Sequence, residues 1–212
     1  MMPPSPPRVY LVTGPSRGRG LVAHTAAALR GLPSGVVAVQ LRARGATGRE
    51  LLDMARALRI VVAEAGQLLL VNDRVDVVVA AGADGVHLPA AGIPPGDARW
   101  MVGEGRLVVV SCHSAADVIR AKAAGADFAT FGPLFDTPSK REYGPPVGLG
   151  SLREASLLGL PLVGLGGVDV SNASEVVAAG AHGVAAIRAW LDAPDPAVIV
   201  RQFLDATGMG EG

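Results

Sequence analysis

Short apolar runs along the chain alternate with longer stretches in which apolar positions return every three or four residues. The short runs predict strands at 9–13, 36–42, 68–72, 85–88, 107–111, 128–132, 162–166 and 183–187. The longer pattern predicts helices at 20–29, 48–65, 75–81, 95–101, 115–124, 149–158 and 172–179, with a last helix that includes 196–204. A repeat underlies the alternation. Ala81-Gly82-Ala83-Asp84, Ala124-Gly125-Ala126-Asp127 and Ala179-Gly180-Ala181-His182 each follow an alanine-rich helical segment and precede an apolar run. Glycine there can close a helix in the left-handed conformation, so each copy is one helix-then-strand unit.

Eight alternating units in 212 residues predict a single compact domain of the α/β class, a (β/α)8 TIM barrel. The barrel is assigned to residues 9–206, with a disordered or extended tail at 1–8 and a second tail at 207–212. An open doubly wound sheet would carry Gly-x-Gly-x-x-Gly after its first strand, and Thr13-Gly14-Pro15-Ser16-Arg17-Gly18 does not supply it.

Composition narrows the partners. With 19 basic and 19 acidic residues the chain has no basic footprint for nucleic acid. No apolar run reaches membrane-span length, and the proline-rich start has no secretory h-region, so a soluble cytoplasmic protein is expected. The single cysteine, Cys112, excludes an internal disulfide and a four-cysteine zinc site. Only Lys122 and Lys140 among the basic residues are lysines. Lys122 lies in a helical context as a surface residue, whereas Lys140 falls in a Gly/Pro-rich loop.

In this fold the chemistry sits at the C-terminal ends of the strands. That rule selects Thr13; Gln40, Arg42 and Arg44; Asn72 and Asp73; His87; Ser111 and His113; the segment 132–140; Gly166 and Gly167; and Ile187 and Arg188. Taken singly, each is an ordinary strand-end residue. Together they put arginines, a lysine, a carboxylate and hydroxyls around one mouth, which suits a phosphate ester or pyrophosphate. Leu165-Gly166-Gly167-Val168 adds a turn whose backbone a ligand can approach, with Ser171 expected to cap the next helix.

These blocks resemble the thiamine-phosphate synthase superfamily, which also contains the thiazole tautomerases. The resemblance covers roughly 9–204 and is carried by Val39-Gln40-Leu41-Arg42-Ala43-Arg44, Val71-Asn72-Asp73-Arg74, Gly85-Val86-His87-Leu88, Ser111-Cys112-His113-Ser114, Phe131-Gly132-Pro133 through Lys140, and Gly164-Leu165-Gly166-Gly167-Val168. It implies a transferase joining hydroxymethylpyrimidine pyrophosphate to thiazole phosphate with release of pyrophosphate. Arg42, Arg44, His113 and Lys140 would then be catalytic. Gln40, Asn72, Ser111, Thr137, Ser139, Gly166, Gly167, Ile187 and Arg188 would bind substrate. Asp73 would hold Mg²⁺, and a second copy of the chain would make a homodimer.

Two positions depart from the pattern. Gly92 stands where synthases usually carry a second magnesium aspartate, and Arg44 stands where they usually carry lysine. Two alternatives follow. One is a thiazole tautomerase, a metal-independent isomerase with His113 as proton carrier. The other is a non-catalytic binder of thiamine-related ligands. His87 is expected to pack at the barrel mouth without acting as a base, and Cys112 to point into the core.

Overall fold

The computed structural model describes residues 3–14, 20–137 and 144–209. Its strands are β1 (Val9–Val12), β2 (Val37–Leu41), β3 (Leu68–Asn72), β4 (Gly85–Leu88), β5 (Leu107–Cys112), β6 (Phe128–Phe131), β7 (Leu162–Gly164) and β8 (Gly183–Ala186). They pair in sequence order, all parallel, and β1 closes on β8 through Val9 opposite Val184. The helices are α1 (Leu21–Ala28), α2 (Gly48–Glu64), α3 (Val75–Ala81), α4 (Pro95–Val102), α5 (Ala115–Ala123), α6 (Gly148–Ser156), α7 (Ala173–Ala178), α8 (Arg188–Leu191) and α9 (Pro196–Ala206). The alternation read from the sequence is therefore a closed (β/α)8 barrel. The short α8 is an addition, because its single turn is too brief for a helical period to register in the sequence.

Strand residues are apolar on both faces because both faces are covered. Tyr10, Val12, Ala38, Leu70, Leu107, Val109, Phe128, Val163 and Ala185 fill the barrel interior. Val9, Leu11, Val39, Leu41, Val71, Val86, Val108 and Val184 instead meet the helices, together with Leu58, Val78, Val118, Val176 and Phe203. Cys112 belongs to this outer layer and is fully buried, and burial pushes its thiol up to about 12. It behaves as a small core residue and is not a nucleophile.

The repeated tetrapeptides have a common job at the N-terminal end of the sheet. Gly82, Gly125 and Gly180 all take positive φ, at 66°, 83° and 97°. The next polar residue then extends the ladder. Asp84 accepts from Leu69 N at 2.8 Å, and Asp127 accepts from Val108 N at 2.6 Å. At His182 the device changes: its Nε2–H donates to Pro6 O at 3.1 Å, and Arg8 donates to the His182 carbonyl at 2.8 Å. The segment ahead of β1 is thus tied across the base of the barrel. At the other terminus Thr207 is buried against α9, donating to Leu204 O at 2.8 Å.

Among the described residues no helix is long and apolar enough to cross a membrane.

Candidate functional site

Side-chain alternation decides which strand-end residues enter the mouth. Gln40 is in register with Val12, which belongs to the interior layer, so Gln40 also points inward. Asn72 is in register with His87, and His87 with the interior Val109. Ser111 follows Val109 by two residues and is inward as well. Gln40, Asn72, His87 and Ser111 therefore line the upper interior from four strands, as the strand-end rule requires.

Arg42 lies just past β2, and its backbone is fixed by a buried neighbour. Thr13 Oγ1 accepts from Arg42 N at 2.8 Å and donates back to Arg42 O at 3.3 Å. Partial burial lowers the Arg42 pKa, the positive charge of Arg44 lowers it further, and Asp73 acts in the opposite sense. Two arginines and one aspartate therefore sense one another at this rim. Among the described residues neither Arg42 nor Arg44 has an ion-pair partner. Two arginines that face a single aspartate and form no ion pair among the described residues leave net positive charge at this rim, which suits an anionic ligand.

Asp73 is the one non-glycine residue with positive φ among those described, at 55°. Its N–H donates to His87 O at 2.9 Å, which ties the strained turn to β4. Its carboxylate makes no ion pair or hydrogen bond with a described residue. The neighbouring Arg74 gives its hydrogen bonds to Asp76, at 2.8 and 2.5 Å, and meets Asp73 only through its charge. A backbone in this region costs of order 1–3 kcal/mol and tends to persist where it aims a functional group.

His87 is 3% exposed and lies between Tyr10 Oη, 2.9 Å from Nδ1, and Ser111 Oγ, 2.8 Å from Nε2. Burial, followed by the charge of Arg42, pulls its pKa to about 3. It stays neutral and packed, as expected. His113 differs: it is exposed, its Nδ1–H donates to Gly132 O, and its N–H donates to the Asp117 carboxylate at 2.9 Å.

The Gly-Gly turn is shaped first by the chain itself. Gly166 and Gly167 have φ of 98° and 69°. A Cβ at Gly166 would fall 2.5 Å from Pro133 Cα, and one at Gly167 would fall 2.7 Å from Phe135 Cβ. The β6 loop thus lies directly on the turn, joined by Leu134 N to Leu165 O and Phe135 N to Gly166 O, both 2.9 Å. The glycine requirement read as room for a ligand is in the first place room for residues 133–136. The N–H groups of Gly166 and Gly167 donate to no described residue, so the turn keeps its capacity for an anion.

Ser171 does not cap the following helix, contrary to the sequence reading. Its Oγ and N both donate to Asp169 Oδ1, at 2.6 and 2.8 Å, and Asn172 is the N-cap of α7. A turn in which Asp169 gathers the local donors wins over the cap. Ile187 is half-buried and Arg188 exposed, at the start of α8. The start of α8 is steadied by Trp190, which donates to Val12 O at 3.1 Å and meets the His24 ring in a tilted contact, 5.5 Å between ring centroids. Thr137 is buried in the loop that follows β6. Ser139 and Lys140 lie outside the described residues.

Among the described residues no group of three or more His, Cys, Asp or Glu side chains could hold a metal. Gly92 closes a tight turn, its N–H donating to Pro89 O at 2.9 Å, and a Cβ there would come 2.9 Å from the Pro89 ring. Asp97 is exposed in the first turn of α4. Among the described residues Asp73 is then a single carboxylate at this rim, a donor set that suits Mg²⁺ only when substrate phosphates and water supply the remaining oxygens. A separate cavity lined by Pro3, Arg99, Glu104 and Asp127 lies toward the opposite, N-terminal end of the strands and takes no part in this mouth.

Sequence reasoning selected Thr13, which the structure places against the Arg42 backbone, but passed over Tyr10 as a site-supporting group. The available signal for Tyr10 was its position: it is a polar residue inside β1, within reach of Gln40.

The thiamine monophosphate synthase family matches residues 9–190. The chain is 43% identical over 207 residues to a thiamine-phosphate synthase of Methanoculleus marisnigri, covering 96% of this chain and 98% of that one. It is 41% identical over 196 residues to the thiamine-phosphate synthase of Roseiflexus sp., covering 91% and 82%. Among solved structures it is similar to thiamine phosphate pyrophosphorylase from Pyrococcus furiosus, with a TM-score of 0.83, 28% identity and 97% of each chain covered.

Proposed function

This chain belongs to the thiamine monophosphate synthase family, and on that premise we propose that it is a transferase that joins hydroxymethylpyrimidine pyrophosphate to thiazole phosphate and releases pyrophosphate. The observation that carries the reading is the Arg42 and Arg44 pair, which forms no ion pair among the described residues, beside the strained Asp73 at the C-terminal end of a closed barrel.

In this reading the bond between the pyrimidine methylene and the pyrophosphate oxygen breaks, and its electron pair leaves with pyrophosphate. The thiazole nitrogen lone pair then bonds to the methylene. The barrier lies in the charge that develops on the leaving group, which preorganised cations stabilise without reorganising. Arg42 and Arg44 take that role, with Lys140 and the hydroxyls of Thr137 and Ser139 from the β6 loop. Gln40, Asn72 and Ser111 contact the substrate from the interior. The Gly166 and Gly167 N–H groups, with the backbone at Ile187 and Arg188, receive the thiazole phosphate. Asp73 would hold Mg²⁺, which when bound neutralises pyrophosphate charge. These two steps move no proton on the thiazole, so His113, exposed at the rim, would carry a proton only in the isomerase alternative. None of the reported relatives favours the isomerase alternative.

The test is release of pyrophosphate by the purified protein supplied with both precursors and Mg²⁺. Turnover is expected only with both precursors present, and Arg42→Met should lower kcat by about 100-fold. Turnover confined to a metal-free assay of thiazole aromatisation, or none in either assay, would overturn the reading.

A further inference from the structure

Beneath the mouth a run of polar side chains crosses the barrel interior. Gln40 Nε2 lies 3.4 Å from Tyr10 Oη, Tyr10 Oη lies 2.9 Å from His87 Nδ1, and His87 Nε2 lies 2.8 Å from Ser111 Oγ. Tyr10, Gln40 and His87 are 0%, 3% and 3% exposed, while Ser111 at the end of the run is half-buried. The Tyr10 and His87 rings also stack, 28° from parallel, which fixes their relative orientation.

The protons in this run can be placed by counting donors. The Gln40 amide nitrogen only donates, so the Tyr10 oxygen accepts there. Neutral His87 has one N–H. If that N–H were on Nδ1 it too would donate to Tyr10 Oη, and the phenolic hydrogen would be buried without an acceptor, because among the described residues Oη meets only Gln40 and His87. Tyr10 therefore donates to Nδ1, the imidazole proton is on Nε2, and Ser111 Oγ accepts it. The hydrogen of Ser111 is then the open end of a chain running one way, on the least buried residue of the run. An imidazolium would donate from both nitrogens and leave the same phenolic hydrogen without an acceptor, so the ring in this run is neutral.

We propose that Tyr10 and His87 are positioning residues that commit the Ser111 hydroxyl to donate, toward a substrate oxygen on which negative charge grows as the phosphorylated leaving group departs. A hydroxyl that already accepts from an imidazole N–H is the stronger donor, because hydrogen bonds in a chain polarise one another. The leaving-group part of this proposal rests on the pyrophosphate-releasing reading above, whereas the polarity of the chain is a property of the protein alone.

Two measurements test it. Long-range proton–nitrogen correlation spectra of the full-length protein labelled at histidine report the His87 tautomer directly, its signal being identified by loss in His87→Gln. The Nε2–H form is expected; the Nδ1–H form would overturn the proposal. In steady-state kinetics Tyr10→Phe should lower kcat by about tenfold with KM within about twofold, and should cause no further loss in a Ser111→Ala background. Equal losses in both backgrounds would mark Tyr10 as merely structural and overturn its role. His87→Gln, which keeps a donor toward Ser111, should retain more activity than His87→Leu, and equality of the two would count against the relay. A wild-type protein that released no pyrophosphate would defeat the functional reading while the tautomer still decided the polarity.

Discussion

Asp73 and His87 each place a local penalty at the mouth, and each penalty can be measured. Asp73 is held at φ 55°, a region that glycine enters without strain. Asp73→Gly should therefore raise unfolding stability by about 0.5–1 kcal/mol in urea titrations while removing metal-dependent pyrophosphate release. Loss of both stability and activity would show that the carboxylate supports the fold. His87 has its native pKa lowered from 6.5 to about 3. Below pH 6.5 the unfolded chain binds a proton that the native one refuses, so the native state loses stability as pH falls from 6.5 toward about 3. The slope contributed is about 1.4 kcal/mol per pH unit. Asp76 and Asp117 have lowered carboxyl pKa values and add in the same sense at lower pH. Thermal melting of wild type and His87→Gln between neutral and acid pH checks this, and the variant should show the shallower decline.

At the scale of elements, the site depends on how the β6 and β7 loops lie on each other and on how α2 begins. Gly167 has φ 69° and no room for a Cβ against Phe135. Gly167→Ala should cost about 2 kcal/mol in urea unfolding and raise KM for thiazole phosphate more than KM for the pyrimidine substrate, because the turn must move. A change in stability with both KM values unaltered would separate this turn from the ligand. The N-terminus of α2 carries a capping box in which Thr47 accepts from Glu50 N at 3.3 Å while Glu50 accepts from Thr47 N at 2.8 Å. Thr47→Ala should cost about 1 kcal/mol in the same titration. The strand and helix spans were readable at this scale from apolar periodicity, to within a residue or two for most elements. The Ser171 cap was not, because whether a serine caps a helix or joins an Asp169 turn depends on local geometry that the two patterns share.

For the molecule as a whole, closure of β1 on β8 makes the barrel one cooperative unit. The two tryptophans report on it differently, since Trp100 is 86% exposed and Trp190 is fully buried with its indole on Val12 O. In Trp100→Phe the remaining fluorescence follows the β1–α8 junction, and its urea transition should coincide with that of far-UV circular dichroism. Separate midpoints would show that part of the barrel unfolds alone. The alternation of units and the gathering of Arg42, Arg44, Asn72, Asp73, Ser111 and Gly166 at strand ends were determined by sequence, because hydrophobic periodicity fixes strands and the parallel closed sheet fixes which ends share a rim. Tertiary structure alone decided that Tyr10 reaches His87 across the interior, that Asp73 turns through a left-handed backbone, and that residues 133–136 occupy the space over the Gly-Gly turn. Each of these joins residues far apart in the chain or depends on a dihedral angle that several residue types can adopt, and neither leaves a periodic trace in one sequence.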